Sequence, residues 1–214
     1  NEVFNHSNSR MSEWVELYNS SSETLSLQEY TLQIGTQSLP LKDFEIQSKS
    51  YLLIELDALE NTSTLPNLPR SGTTIILRDG NIVKDNFTYG KTPFGYSVGR
   101  DYTGSPVYFK EATPNAENST SSFSKWSTVP NLDQISGFYT DPIEVSLLAK
   151  ELDTTVHYTL DGSEPTQQDH ELLDSKSISK NTTIRLRAFH KDKIPSDIMS
   201  YSYIFEQVSD LPSV

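Results

Sequence analysis

The chain has 214 residues, and its 17 basic and 29 acidic side chains give a formal net charge of −12, which repels phosphate backbones and anionic lipid headgroups at long range. The absence of cysteine excludes disulfides, thiolate metal sites and cysteine nucleophiles. Because of this charge, nucleic acid is not expected as a partner. Because there is no apolar run of about 18 residues, membrane insertion is not expected either.

Short alternating apolar segments in the first half of the chain predict β-strands. "EWVELYN" and "YTLQIG" both alternate with the period of two that is typical of half-buried strands. The continuous apolar run "YLLIEL", residues 51–56, predicts a central strand covered on both faces. "TTIILRDGNIVKDNFTY" predicts a hairpin, because Asp79, Gly80 and Asn81 favour a tight turn between two β-rich runs.

The alternation is lost over residues 111–128, where the polar sequence "EATPNAENSTSSFSKWST" predicts a domain boundary. Strands resume in "IEVSLLA", "TVHYTL", "TTIRLRAFH" and "MSYSYIF". Only "KELDTT" and "QQDHELLDS" have a helical composition, and each allows one turn at most. The pattern predicts an all-β protein made of two antiparallel β-sandwiches in tandem.

Residues 1–118 resemble the lamin tail domain, a family of immunoglobulin-like β-sandwiches that is also common in bacterial surface proteins. The segments that carry the resemblance are "NEV", "EWVELYNSSSETLSLQEYTL", "SGTTIILRDGNIVKDNFTYG", "GYSVGR" and "ATPNAEN". Tyr30 stands where the family usually has a tryptophan, which is a conservative departure. The resemblance implies an immunoglobulin-like sandwich over this range.

Residues 127–205 resemble the small β-sandwich at the end of chitobiases and hexosaminidases. The matching segments are "SGFYTDPIEVSL", "VHYTLDGSEPT" and "TTIRLRAFHKDKIPSDIMSYSY", of which the middle one is the most characteristic. Between the two sandwiches, residues 119–126 are expected to form a linker. Trp126 and Phe123 suggest that this linker is partly docked, because exposed aromatic side chains on a flexible tether are costly.

The combination of the two sandwiches resembles a segment of large bacterial proteins in which both precede a kinase-like domain of the spore-coat protein H type. Residues 206–214, which include "SDLPSV", would lead into such a downstream domain. The chain would then be a fragment whose parent protein is extracellular or at the cell surface, and any active site would lie beyond Val214.

"HYTLDGSEPT" and the residues after it place Asp161, Glu164 and Asp169 close together. A turn between strands explains these residues better than a cation site, because Ca²⁺ needs six to eight oxygen ligands. A glycosidase pair would need a substrate-sized cleft, for which the sequence has no insertion. Glutamates that alternate along strands are assigned to the solvent face. This assignment covers the pairs Glu13 with Glu16 and Glu55 with Asp57.

The histidines and serines show no catalytic or metal-binding spacing. His6, His157, His170 and His190 lack a motif such as His-x-x-x-His, and "GYSVG" is a turn and strand start because it misses the Gly-x-Ser-x-Gly pattern. We therefore predict no catalytic residue, no metal and no cofactor in this chain.

Two groups of residues remain as candidate ligand contacts. Tyr102, Tyr108 and Phe109 are expected in a loop, where they would stack on a sugar or a partner protein, or close the bottom of the sandwich. Arg185 and Arg187 are expected on the outward face of a strand beside His157, where they would capture a carboxylate or a sulfated sugar, or form a solvated face that opposes aggregation.

The sequence leaves three functional classes open. The first is a non-catalytic interaction or spacer module, expected as a monomer that contacts a protein or a cell-wall glycan. The second is a carbohydrate-binding module for a cell-wall or chitin-like glycan. The third is an accessory region of a kinase-like or hydrolytic enzyme with its active site outside this fragment.

Overall fold

The computed structural model describes residues 1–5, 12–56 and 67–205. The chain divides into two compact units, Asn1–Ser124 and Lys125–Val214. The described residues contain no α-helix, and therefore no helix that is long and apolar enough to cross a membrane. The predicted all-β fold class is confirmed.

The described residues of the first unit form three sheets in which every strand pair is antiparallel. Its strands are β1 (Glu2–Phe4), β2 (Trp14–Tyr18), β3 (Leu25–Ser26), β4 (Tyr30–Ile34), β5 (Gln37–Pro40), β6 (Glu45–Ile46), β7 (Tyr51–Glu55), β8 (Thr73–Asp79), β9 (Ile82–Tyr89), β10 (Ser97–Arg100), β11 (Pro106–Phe109) and β12 (Ser122–Phe123). A six-stranded sheet has the order β12-β11-β10-β1-β2-β7, a four-stranded sheet has the order β5-β4-β8-β9, and β3 pairs with β6.

The core of the first unit lies between the six-stranded and four-stranded sheets. A small cavity of about 30 Å³ is lined by residues from both sheets, including Val3 and Val15 from one and Leu32 and Ile75 from the other. All four side chains are at most 5% exposed. Burial of each such side chain contributes about 1.5–3 kcal/mol. The two sheets therefore pack as a β-sandwich.

The predicted hairpin is confirmed as β8 and β9. Asp79 pairs with Ile82, which leaves Gly80 and Asn81 as a two-residue turn. Gly80 has a φ of 53°, in the left-handed region that glycine adopts without a steric penalty. A bulge between Leu77 and Arg78 shifts the register of the two strands.

The prediction that residues 51–56 form a central strand is wrong. β7 pairs with β2 and stands at the end of the six-stranded order. Ile54 is 1% exposed and faces the core, whereas Tyr51 lies on the other face against Tyr18, with ring centroids 4.7 Å apart. Side chains pack against both faces of β7, so this edge strand has the same apolar composition as a central strand. The composition of the segment therefore does not distinguish the two positions.

The second unit contains a five-stranded sheet and a two-stranded sheet. Its strands are β13 (Gly137–Tyr139), β14 (Ile143–Ser146), β15 (Thr154–Thr159), β16 (His170–Glu171), β17 (Ser175–Ile178), β18 (Thr182–His190) and β19 (Met199–Phe205). The larger sheet has the order β13-β19-β18-β15-β16, and β14 pairs with β17. β13 and β19 are parallel, which departs from the antiparallel arrangement that we expected.

The two segments with helical composition form no helix. "KELDTT" makes a turn at residues 152–153 before β15, and "QQDHELLDS" contains the short strand β16. Pairing with β15 gives β16 hydrogen bonds that an isolated helical turn would lack. The core that this unit builds is apolar, with Ile184, Leu186 and Tyr203 all at 0% exposure.

Residues 119–126, the predicted linker, contribute to both units. Phe123 in β12 pairs with Tyr108 in β11, and its ring lies 6.2 Å from that of Tyr96. Trp126 pairs with Ile194 in the second unit. The predicted tail, residues 206–214, lies outside the described residues.

Candidate functional site

The acidic loop that follows β15 closes on itself. Asp161 Oδ1 accepts hydrogen bonds from the Ser163 amide at 3.0 Å and from its hydroxyl at 2.5 Å. Asp169 Oδ2 accepts from the amide and the hydroxyl of Thr166, both at 2.7 Å. These hydrogen bonds lower the pKa of both carboxyl groups below the usual range. The carboxylates thus stabilise the turn that the sequence predicts.

The loop folds back over the outward face of β15. The Arg185 guanidinium donates to the Gly162 carbonyl, and the Thr159 hydroxyl donates to the Ser163 carbonyl at 2.7 Å. His157 Nδ1 lies 2.9 Å from the Asp169 carbonyl oxygen, and the histidine is only 8% exposed. Within the residues described, no group of three or more His, Cys, Asp or Glu side chains is arranged to hold a metal.

Arg187 lies on the same outward face and pairs with His157 in the strand register, as the sequence predicts. Its Nε donates to the Ser196 carbonyl at 3.0 Å, and its guanidinium carbon lies 5.8 Å from the centroid of the Phe189 ring. Arg185 and Arg187 therefore both bind backbone carbonyls of their own unit. Capture of an external carboxylate or sulfate would compete with these contacts.

Of the three candidate aromatic residues, only Tyr102 is on the surface. Tyr102 is 100% exposed in a turn that Asp101 Oδ1 stabilises by accepting from the amides of Thr103 and Ser105, at 2.8 and 3.0 Å. The expectation of a loop is wrong for Tyr108 and Phe109, which lie in β11 at 8% and 4% exposure. They are buried because they pack within the sandwich, the alternative that the sequence left open.

The first unit contains a pair of buried glutamates that was not predicted from the sequence. Glu2 and Glu16 lie opposite each other on β1 and β2, and each is 1% exposed. Glu2 accepts from the Ser97 hydroxyl and, at 3.1 Å each, from the amide and hydroxyl of Thr113. Glu16 accepts from the Asn1 side-chain amide at 2.6 Å and from the backbone amide of residue 115.

We call Glu2 and Glu16 the glutamate clamp, because they bind the segment 113–115. Burial raises the pKa of the Glu16 carboxyl above its usual value, partly offset by its hydrogen bonds. The assignment of Glu16 to the solvent face was therefore wrong, whereas Glu55 is exposed as expected. Glu13 accepts from the Leu68 amide at 2.9 Å, and Asp57 and His6 lie outside the described residues.

Each unit also has an open cleft. The larger one, about 620 Å³, lies in the first unit and is lined by residues of both main sheets, with Tyr18 and Tyr30 among them. The smaller one, about 260 Å³, lies in the second unit beside the core residues Val156 and Ala188. The larger cleft falls within the roughly 300–1,000 Å³ that is usual for ligand pockets, as does a shallower cleft of about 430 Å³ beside β7 in the first unit.

A comparison with known families finds a match within the second unit. Residues 134–200 match the chitobiase/beta-hexosaminidase C-terminal domain. The match runs from just before β13 to the start of β19, and it contains the acidic loop and both outward arginines. No curated protein matches the chain.

The chitobiase/beta-hexosaminidase C-terminal match covers 67 residues (200 − 134 + 1), which is less than half of the chain. It agrees with the resemblance that the sequence shows over residues 127–205. The resemblance of residues 1–118 to the lamin tail domain, and the kinase-like context beyond Val214, stay predictions.

Proposed function

We propose that this chain is a non-catalytic interaction module of a larger extracellular bacterial protein. Its first unit would be a lamin-tail-like sandwich, and its second unit a chitobiase C-terminal-like sandwich. In chitobiase, the C-terminal domain is an accessory domain that is not catalytic. The match over residues 134–200 supports the same role for the second unit.

The bonding of the acidic loop is the observation that carries the proposal. A carboxyl group that acts as a general acid near neutral pH needs a raised pKa. The pKa values of Asp161 and Asp169 are lowered instead, because each carboxylate accepts two hydrogen bonds from its own turn. Both groups are therefore ionised at neutral pH and engaged in the turn.

The glutamate clamp is equally unsuited to catalysis. The raised pKa of Glu16 would suit a general acid, but Glu2 and Glu16 are 1% exposed and bind the protein's own chain. The cavity of about 30 Å³ that both glutamates line is too small for a substrate. The clamp supports a structural role.

The module would act by presenting exposed side chains on rigid sandwiches. The described surface includes several large apolar side chains that are at least 60% exposed. In the first unit these are Phe94, Tyr102 and Ile82, and in the second unit Ile135, Phe138, Leu148, Leu152 and Leu173. Such side chains on turns and strand ends suit contact with a protein or a glycan of the cell wall.

Carbohydrate binding is the second candidate function. The family match favours it, because the chitobiase C-terminal domain resembles carbohydrate-binding domains. The cleft of the first unit is also large enough for a small ligand. The two candidates predict different partners for the same non-catalytic module.

Two assays on the purified chain test the proposal. The first incubates the chain with ATP and with chitin oligomers, and we expect no turnover above the rate in buffer. The second measures retention on purified bacterial cell walls, where we expect saturable binding. Turnover that disappears when Asp161 and Asp169 are replaced by Asn would overturn the non-catalytic assignment.

A further inference from the structure

The larger cleft lies at one end of the first unit, where strands of the two main sheets end or begin. β2 contributes Leu17 and Tyr18, β4 contributes Tyr30, and β10 contributes Arg100. Because both sheets of the sandwich supply these residues, the cleft is part of the framework of the unit and its shape is largely preformed.

The floor of the cleft is apolar and within reach of solvent. Leu17, Leu25 and Leu77 line it and are each partly exposed. Leu27 and Ile46 lie in the same lining at 0% and 3% exposure, so the floor is continuous with the core. A ligand with an apolar face would bury this floor, at about 25 cal/mol for each Å² removed from water.

Two tyrosines provide aromatic surface and hydroxyl groups. Tyr18 is 43% exposed, and its ring is held against Tyr51 with the ring planes 32° apart. Tyr30 is held by its backbone, which donates to the Leu27 carbonyl and accepts from the Leu41 amide, both at 2.9 Å. Within the described ranges, neither phenol hydroxyl has a hydrogen-bond partner, so both are available to a ligand.

The charged side chains that line the cleft have no net charge. Arg100 donates to both carboxylate oxygens of Asp85 at 2.8 and 2.9 Å, and Lys84 pairs with Asp79 at 3.0 Å. Among the lining side chains, Lys84 and Arg100 balance Asp85 and Asp101, for a formal sum of zero (2 − 2). An anionic ligand would have to break the Arg100–Asp85 pair, so the cleft favours a ligand without net charge.

We propose that this cleft binds a neutral oligosaccharide. A sugar ring has an apolar C–H face for the tyrosines and leucines, and a rim of hydroxyls for the phenols and the Arg100–Asp85 pair. A purely apolar ligand would leave the phenol hydroxyls that it buries without partners, at a cost of about 1–3 kcal/mol for each. The inference deepens the proposed function and depends on it, since it identifies the ligand class and the binding site.

The test is a titration of the isotope-labelled chain with cellotetraose, maltotetraose and chitotetraose, followed by NMR amide shifts. We expect at least one tetrasaccharide to give saturable shifts at Ser20, Ser21 and Asp101. Tyr18→Ala and Tyr30→Ala should each weaken binding about tenfold, because each removes one aromatic contact. Val83→Ala, which shortens an exposed apolar side chain outside the lining, should leave the affinity unchanged.

Tyr18→Phe and Tyr30→Phe separate binding from folding, because they keep the ring and remove only the hydroxyl. They should retain native spectra and weaken binding about two- to fivefold, which is the loss of one hydrogen bond. An alanine variant whose spectrum shows a disrupted fold is then replaced in the comparison by its phenylalanine counterpart.

Three results would overturn the inference. These are saturable shifts confined to the second unit, equal affinity in the tyrosine variants and the original chain, and no saturable shift with any of the saccharides. If the amide shifts of the cleft residues saturate with a peptide and not with a saccharide, the ligand of the cleft is a protein segment. None of these results affects the non-catalytic assignment, which fails only if the chain turns over ATP or a saccharide.

Discussion

Replacement of Glu2 by Ala should destabilise the first unit strongly, because it removes one half of the glutamate clamp. Glu2 accepts three hydrogen bonds, one from Ser97 and two from Thr113. Thr113 is 111 positions after Glu2 in the sequence. The substitution therefore removes a connection between distant segments and not a contact within a local turn.

The structure allows the cost to be estimated. Hydrogen bonds to a charged group contribute about 1.5–3 kcal/mol each, and the burial of the carboxylate offsets part of their sum. Thr113 is partly exposed and can bind water after the substitution, whereas Ser97 is 0% exposed and its hydroxyl loses its acceptor. We expect the free energy of unfolding to fall by about 2–4 kcal/mol.

The assay is urea unfolding followed by tryptophan fluorescence. The chain has two tryptophans, Trp14 in the first unit and Trp126 in the second. In a Trp126→Phe background, the fluorescence of Trp14 reports on the first unit alone, which avoids fitting two units as one transition. The slope of the free energy with urea concentration should stay unchanged, because the unfolded surface is the same.

Ser97→Ala is the matched control. It removes one donor, leaves Glu2 its two bonds to Thr113, and should cost about 1 kcal/mol. The double variant should be less destabilised than the sum of the single variants, because the orphaned hydroxyl is absent. A Glu2→Ala variant within about 0.5 kcal/mol of the original chain, with no coupling to Ser97, would refute the clamp.

In the same urea assay, Tyr108→Ala should lower the free energy of unfolding by about 3–5 kcal/mol, because Tyr108 is buried. Tyr102→Ala should change it by no more than about 0.5 kcal/mol, because Tyr102 is exposed. Equal effects of the two substitutions would contradict the burial of Tyr108 and the exposure of Tyr102. Gly72→Ala should lower the free energy of unfolding by about 1–3 kcal/mol or more, because the φ of Gly72 is 100° and a Cβ would overlap the facing backbone. An unchanged free energy of unfolding would argue against this backbone conformation. The lowered pKa values of Asp161 and Asp169 mean that their contribution to stability is present above pH 3.8 and is lost as the pH falls through the folded values. When Asp161 and Asp169 are both replaced by Asn, the melting temperature of the second unit should therefore fall less at acid pH than it does in the original chain. An unchanged dependence of the melting temperature on pH would contradict the stabilising role of these carboxylates.

Most strands could be predicted from the sequence, because alternation along a strand is a local property. β2, β4, the hairpin of β8 and β9, and the long strands of the second unit all fall on predicted segments. The position of β7 could not be predicted in this way, because strand order depends on which partners pair and not on the composition of the strand.

The glutamate clamp was missed for a related reason. Glu16 alternates with apolar neighbours as a solvent-facing residue does, and its backbone donor at residue 115 is 99 positions away. Likewise, "DYTGSPVYFK" has the composition of a loop, whereas pairing with β10 places Tyr108 in a buried strand. Contacts between distant segments decided the environment of each of these residues.

The row of paired residues across the six-stranded sheet limits how the first unit can work as a spacer. Val3 pairs with Val98, Val98 with Tyr108, and Tyr108 with Phe123. Three steps between neighbouring strands of about 4.8 Å each place the beginning and the end of the unit roughly 14 Å apart. An extended chain of the same 121 residues (123 − 3 + 1) would reach hundreds of ångströms, at about 3.3 Å for each residue. The unit therefore adds almost no reach to the protein that carries it, and it could be inserted into a surface loop of a host domain without forcing that loop open.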